Sequence, residues 1–411
     1  MTQFAQKHPW IFAIILAIPY FLFTIYSYSQ TDPNLVITQN PLYWNFQLQM
    51  WQLGYHMRDL SAQLYAGLIV VAFGVYAVAV RMIRRAGKRT GAAVLGIALF
   101  VLLFSYPALS HDLFNYMFNA RMVVKYQMNP HQHTAMEFRS VDSWVRFMNN
   151  IDTAAPYGYG WTALSLVPYV AGLDHFNTIF YAFKLFMIGG FIALFFVDGA
   201  LAKELGDADF ESRKWLYFLN PLILLEGIAT VHNDVWMMLP FFASILLLMR
   251  ARKHTSLFTR AGQIFISLAL FMFSASIKFA TLVAAPIYVG LLFSGQLPKK
   301  ISAILRNYWA DFCSILLFLP LLTDRSQQFH PWYLFWSLSF LPFIRSKLLR
   351  LAFIALSFSS LLRYLPYLSL GGYNAIELSH EKLITWGGGL ALFVLFFLAS
   401  KLEFIKRRML E

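Results

Sequence analysis

Long apolar runs broken by short polar bursts recur along the whole 411-residue chain. About 20 apolar residues in a helix suffice to cross a bilayer. The runs predict about twelve transmembrane helices, near 10–27, 63–82, 91–109, 177–201, 215–232, 235–250, 262–279, 281–294, 309–322, 332–344, 351–368 and 383–401. The first run, starting at Trp10, is followed by no small-residue cleavage pattern and reads as a retained signal-anchor helix. Residues 161–173 are apolar but too short to cross comfortably, and counting them as a span would set every later loop against its charge. They are expected to be re-entrant or interfacial. The pattern as a whole is that of an all-α polytopic membrane protein whose longest outer loop carries interfacial helices.

Composition sharpens this picture. Hydrophobic residues make up 59% of the chain and charged residues 13%, which excludes an ordinary soluble domain. The net charge of +13 does not point to nucleic acid, because the cations fall in bursts between spans and form no basic face. Arg81, Arg84, Arg85, Lys88 and Arg89 follow the second run, Arg250, Arg252, Lys253 and Arg260 the sixth, and Lys406, Arg407 and Arg408 close the chain. The positive-inside rule makes these segments cytoplasmic. Lys299, Lys300 and Arg306, then Arg345, Lys347 and Arg350, fit the same parity. Loops 28–62, 110–176, 323–331 and 369–382 then face outward. The single Cys313 excludes an intramolecular disulfide and a cysteine-based metal site.

Ionisable side chains at membrane depth are costly and mark functional sites. Two clusters stand out, Ser110-His111-Asp112 through Asn119 and Arg121, and His232-Asn233-Asp234, each at the end of an apolar run. A helix over 112–124 puts Asp112, Asn115, Tyr116 and Asn119 on one face, with Leu113, Phe114, Met117 and Phe118 on the other. Such a helix is expected to lie along the membrane surface with its polar face toward a water-filled cavity; the plainer reading makes Asp112 a helix cap. Asn233 and Asp234 are good turn residues, but a turn has no need of the His232 imidazole.

Lys278, near the outer end of its span, either snorkels to the interface or neutralises an anion. Asp324, Arg325 and His330 share a short loop that Arg363 and Tyr364 approach, and cations there suit a phosphate. The aromatic run Trp332, Tyr333, Phe335 and Trp336 reads first as an interface belt. Asn129-Pro130 and Pro156-Tyr157-Gly158-Tyr159-Gly160 read as turns. His131 with His133, or His232 with Asp234, leaves any metal shell incomplete. With no glycine-rich phosphate loop in the sequence, a nucleotide is not the expected substrate.

At these residues the sequence resembles the polyprenyl-phosphate-dependent glycosyltransferases of the GT-C superfamily, particularly bacterial alpha-mannosyltransferases of lipoglycan synthesis. The similar elements are His111-Asp112 with Tyr116 and Arg121, Asn129-Pro130, Tyr157-Gly158, Asn220-Pro221, His232-Asn233-Asp234, Lys278 and His330-Pro331-Trp332-Tyr333, in matching order across residues 100–340. Ala120 stands where that pattern has glycine before the arginine, and His131 follows Asn-Pro where an aromatic is usual. The resemblance implies a GT-C-like catalytic membrane domain over 91–411, with accessory helices over 1–90. It implies a sugar, expected to be mannose, moved by inverting displacement from a polyprenyl-phosphate donor to an extracytoplasmic glycan or lipid-linked acceptor. Asp112 matches the catalytic carboxylate; His111, Tyr116, Arg121, His232, Asp234, Lys278, Arg325 and His330 are the expected substrate-binding set. No cofactor and no metal is required, and the expected location is a multi-pass cell membrane, the bacterial cytoplasmic one, with the site facing outward.

Intramembrane charges also mark transport pathways, so a transporter or flippase for a lipid-linked or anionic substrate is the rival class. It predicts charged residues spread through the midplane. The sequence gathers them at outer helix ends, which favours transfer chemistry. A noncatalytic assembly subunit, a third class, would tolerate loss of Asp112 and His232.

Overall fold

The computed structural model describes residues 6–35, 37–323, 329–372 and 375–410. Among these residues the chain is helical with no strand. Among the described residues eight helices are long and apolar enough, by length and composition, to cross a membrane. The remaining runs form shorter or broken helices. Residues 215–232 break into Trp215–Phe218 and a π-helical turn, Ile223–Ala229. That segment is enclosed by protein, with Trp215, Phe218, Leu222, Ile223, Leu224 and Ile228 all buried. Irregular backbone is tolerated at membrane depth where protein surrounds it.

The elements that position the site begin with α1 (Pro9–Ser27), α2 (Pro41–Trp51), α3 (Arg58–Ala86) and α4 (Lys88–Leu103). Pro9 and Pro41 start α1 and α2, where a missing amide hydrogen costs nothing, and the Asn40 side chain accepts from Leu42 N at 2.9 Å to cap α2. Helix α1 packs on α3 and α4, and α4 packs on the π-helical turn. The loop over 110–176, the outer loop on the charge-parity reading, contains α5 (Asp112–Val124) and α6 (Tyr159–Ala171). With 13 residues and an internal Pro168, α6 is too short to span, as its length in sequence implies.

Helix α5 has the expected bounds but not the expected surroundings. Its residues Leu113 to Met122 are buried, Asn115 and Asn119 included, so it is enclosed by protein on its polar and its apolar face alike. Then come α7 (Phe176–Leu205), α8 (Asp234–Ala251), α9 (Leu257–Ile277), α10 (Ala285–Leu292), α11 (Lys299–Phe318), α12 (Leu334–Leu338) and α13 (Lys347–Leu362). Helix α8 is central: it packs on α7 and α9, and Val235, Met237, Met238, Phe241 and Phe242 are fully enclosed.

One buried cation ties this frame together. The Lys184 ammonium of α7 donates to Ser105 O, to Ser105 Oγ at 2.9 Å and to Ala229 O at 3.1 Å. These oxygens lie just past the C-terminal end of α4 and at that of the π-helical turn, where the helix dipole favours a cation. Lys184 thus satisfies carbonyl groups that water cannot reach, and it docks α7 against both elements. Lys184→Met should destabilise the protein by about 3 kcal/mol through unpaired buried oxygens. Thermal unfolding in detergent measures this; an unchanged midpoint would refute the tie.

Candidate active site

Asp112, at the first turn of α5, has its amide 3.2 Å from Ser110 Oγ. The sequence Tyr157-Gly158-Tyr159-Gly160 crosses the end of α9 so closely that a Cβ on Gly158 would lie 1.9 Å from Ser276 O. Gly158 N donates to Ile277 O at 3.0 Å, which fixes the crossing. Only glycine permits this approach. It brings Tyr157 against Asp112 and Tyr116, and the Lys278 ammonium lies 5.9 Å from the Tyr157 ring.

The π-helical turn supplies the second half of the site. Two residues beyond it stands Val231, whose φ of +71° is a left-handed conformation that β-branched residues rarely adopt. The strain, on the order of 1–3 kcal/mol, reverses the chain directly before His232-Asn233-Asp234. His232 Nδ1 then lies 3.3 Å from Asp112 Oδ2, and its Nε2 lies 3.3 Å from Glu226 Oε2. Tyr364 donates to Glu226 Oε1 at 2.9 Å, and Tyr116 donates to Asp112 Oδ2 at 3.3 Å. The result is a continuous chain, Asp112–His232–Glu226–Tyr364.

Asp234 starts α8 and accepts from Lys278 Nζ at 2.9 Å and from Trp336 Nε1 at 2.6 Å. The His232 ring stacks on Trp332 at 4.2 Å, and Trp332 stacks on His330 at 4.3 Å. The aromatic run after His330 therefore lines the site and is not an outward-facing belt. His232, Glu226 and Asp234 are completely enclosed, whereas the side chains of Asp112 and Lys278 are 18% and 17% exposed. Of these charged groups, only that carboxylate and that ammonium reach open space. Asn233 is also enclosed, and its side-chain oxygen and nitrogen have no hydrogen-bond partner among the described residues.

The electrostatics follow from the pairings. Burial opposes ionisation of Asp112, but His232, Tyr157 and Lys278 outweigh it and hold the carboxyl at about 2. Burial likewise opposes protonation of His232, but its two carboxylate neighbours raise its pKa to about 9. Burial, then Arg363, pushes His330 down to about 4. At neutral pH the site holds an ionised Asp112, a charged His232 and a neutral His330.

The structure thus brings together Asp112, Tyr116, His232, Asp234, Lys278 and His330. It does not bring in His111, which lies 3.0 Å from Phe147 O through Nδ1 and steadies the outer loop. Arg121 also points elsewhere. Its guanidinium binds Asp142 at 2.5 Å and Asp174, lies 4.0 Å over Trp144, and bonds the Tyr169 hydroxyl at 3.3 Å. It clamps the outer loop onto α6 and the turn that follows. Arg325 lies outside the described residues. Glu226 was passed over in the sequence although it carried a signal: it is the one acidic residue in the apolar run Leu222-Ile223-Leu224-Leu225-Glu226-Gly227-Ile228.

Helical bundle and enclosed charge network together define a polytopic membrane protein with an acid–base site at one end of its central helices. Residues 24–294 match the family described as alpha-(1->6)-mannopyranosyltransferase, N-terminal domain. The chain belongs to this family and is a membrane glycosyltransferase of the mannosyltransferase type. Neither the curated proteins nor the solved structures contain a match.

His232 is charged in the folded protein up to about pH 9, against an ordinary value near 6.5. A raised pKa contributes stability that is complete below the ordinary value and is lost as pH rises through the folded one. The thermal midpoint should therefore fall between pH 7 and pH 9.5, and this fall should shrink in His232→Gln. An equal fall in both proteins would show that His232 is not the titrating group. Arg121→Lys, which loses the planar fork, should speed proteolysis within residues 125–158 at least about tenfold; unchanged cleavage would refute the clamp.

Proposed function

We propose that the chain transfers mannose from a polyprenyl-phosphate donor to an extracytoplasmic glycan or lipid-linked acceptor, with Asp112 as the base. The observation that carries this reading is the partly exposed Asp112 carboxylate, backed by enclosed His232 and Glu226 and flanked by Lys278. The family supports mannosyl transfer. A site at the ends of membrane-crossing helices suits a lipid-borne donor, the charge bias of the loops supports an outward-facing site, and the family resemblance supports a bacterial cytoplasmic membrane.

In this mechanism the acceptor hydroxyl attacks the anomeric carbon on the face opposite the phosphate. The new carbon–oxygen bond forms as the bond to the phosphate oxygen breaks, so the configuration inverts. Polyprenyl phosphate departs with the electron pair, and the hydroxyl proton passes to Asp112. A carboxyl with a pKa of about 2 is a weak base for a free alcohol. It is sufficient for an oxygen already bonded to an oxocarbenium-like carbon, which is a strong acid. Proton transfer therefore comes late, and the first task of the carboxylate is to face the positive charge growing on the sugar ring.

His232 keeps Asp112 ionised, and Glu226 with Tyr364 keeps His232 charged and oriented. Lys278 is the partly open cation that can meet the leaving phosphate, while Asp234 and Trp336 hold its aim. His330, neutral beside Trp332, is available as a hydrogen-bond partner for donor or acceptor. Arg325 is proposed as a second phosphate contact on its charge and sequence position.

The test is transfer by purified protein in detergent, with polyprenyl-phosphate-mannose and a panel of glycan and lipid-linked acceptors. Asp112→Asn should lower kcat at least about 100-fold while the protein stays folded. Retained activity would remove Asp112 as the base. Glu226→Gln should cost about tenfold in kcat and move the alkaline limb of the pH profile to lower pH, because His232 loses one of the two carboxylates that raise its pKa. A kcat loss with an unmoved limb would refute the link between Glu226 and His232.

A further inference from the structure

The end of the bundle remote from Asp112 carries a second feature that mannosyl transfer does not use. Helix α8 has 18 residues, so Arg252, just past its C-terminus, lies about 27 Å from Asp234 along the helix axis. Arg252 lines a concave cavity of about 570 Å³ together with Arg260, Lys299, Arg306, Ser294 and Ser302. Among the described residues no acidic one lines it. Elsewhere on this end of the molecule cations are neutralised: Glu204 takes Arg250 and Lys253, and Asp207 takes Arg213. Among the described residues, Arg252, Arg260, Lys299 and Arg306 form no ion pair.

The four cations come from three directions. Arg252 follows α8, Arg260 is in the first turns of α9, and Lys299 and Arg306 are on α11. Arg252 is half-buried and held in place by bonds to Leu291 O and, at 2.6 Å, to Ser294 Oγ. Burial, then the charges of Arg306 and Arg260, lowers its pKa, so the cations repel one another across the cavity. The first turn of α11 has no side-chain cap, and its free amide groups add a positive helix end beside Lys299. Leu257 and Phe258 at the start of α9, and Phe293 after α10, are exposed apolar side chains at the same end of the bundle. Apolar surface exposed beside a cationic cavity suits a ligand with acyl chains and an anionic head.

We propose that this cavity binds a phosphate group, with Arg252, Arg260, Lys299 and Arg306 as its ligands, at the opposite end of the bundle from Asp112. The chemistry is shared by the headgroup of an anionic phospholipid and by free phosphate. The proposal does not depend on the transferase reading.

Native mass spectrometry of the full chain in detergent tests it, with phosphatidylglycerol and phosphatidylcholine supplied in equal amounts and inorganic phosphate added as competitor. Retention of phosphatidylglycerol over phosphatidylcholine is expected. A double variant, Arg260→Gln with Lys299→Gln, changes only exposed side chains that make no hydrogen bonds among the described residues. It should weaken retention about fivefold per cation removed. Displacement by millimolar phosphate would assign the contact to the phosphate itself. Binding of phosphate with no lipid preference, lost in the same variant, would make free phosphate the occupant. Equal retention of the two lipids without phosphate binding, or retention unaltered in the folded double variant and in Arg252→Gln, would overturn the proposal. In that case these residues serve only as cytoplasmic charge.

Discussion

The site depends on one constraint: a fully enclosed imidazole held between two carboxylates. Enclosing a charged group costs several kcal/mol unless its partners are close and well placed. His232 meets that condition with Asp112 on one ring nitrogen and Glu226 on the other, each at 3.3 Å. The three residues come from three elements: the first turn of α5, the π-helical turn, and the reversal before α8. Pairing them therefore fixes how those elements lie relative to one another. The wide turn and the left-handed Val231 are the local backbone departures that make the pairing possible.

Two further buried cations hold this arrangement from outside. Lys184 ties α7 to the ends of α4 and of the π-helical turn, and so fixes the element that carries Glu226. Arg121 ties α5 to the outer loop and to the turn after α6, and so fixes the helix that carries Asp112. Gly158 and Gly160 let the Tyr157 loop press on the end of α9, which brings Lys278 to the same place. The charged residues at this end of the bundle thus have two kinds of work. Some aim others, and Asp112 and Lys278 face the open side.

This division explains what could be read from the sequence. The bounds of α5, the short α6, and Asp112, His232, Asp234 and Lys278 as the charged positions that the fold gathers were legible because each is a local departure from apolar periodicity. His111 and Arg121 are departures of the same kind, and residue type alone does not say which way a side chain points. Arg121 faces the loop, where Asp142 and Asp174 await it. Glu226 shows the opposite failure: it sits inside an apolar run, and its partner was visible only once the chain reversal at Val231 brought His232 back. The span count diverged for a related reason. Hydropathy does not distinguish a segment wrapped by lipid from one wrapped by protein, and 215–232 is the latter.

The charges of the site also set what it can stabilise. Asp112, Glu226 and Asp234 face His232 and Lys278, three carboxylates against two cations, all held by hydrogen bonds or ion pairs before any substrate arrives. A preorganised field of that sign favours positive charge on the open side next to Asp112. In the transfer proposed above, that is where the sugar ring becomes oxocarbenium-like. The leaving phosphate instead needs a cation, and Lys278 is placed to meet it while Asp234 keeps part of that charge in balance until the anion comes. Positive charge on the ring and negative charge on the leaving group are thereby met by different residues on different helices, α5 and the end of α9. The network that fixes those two helices relative to each other thus also sets the line along which the bond would break.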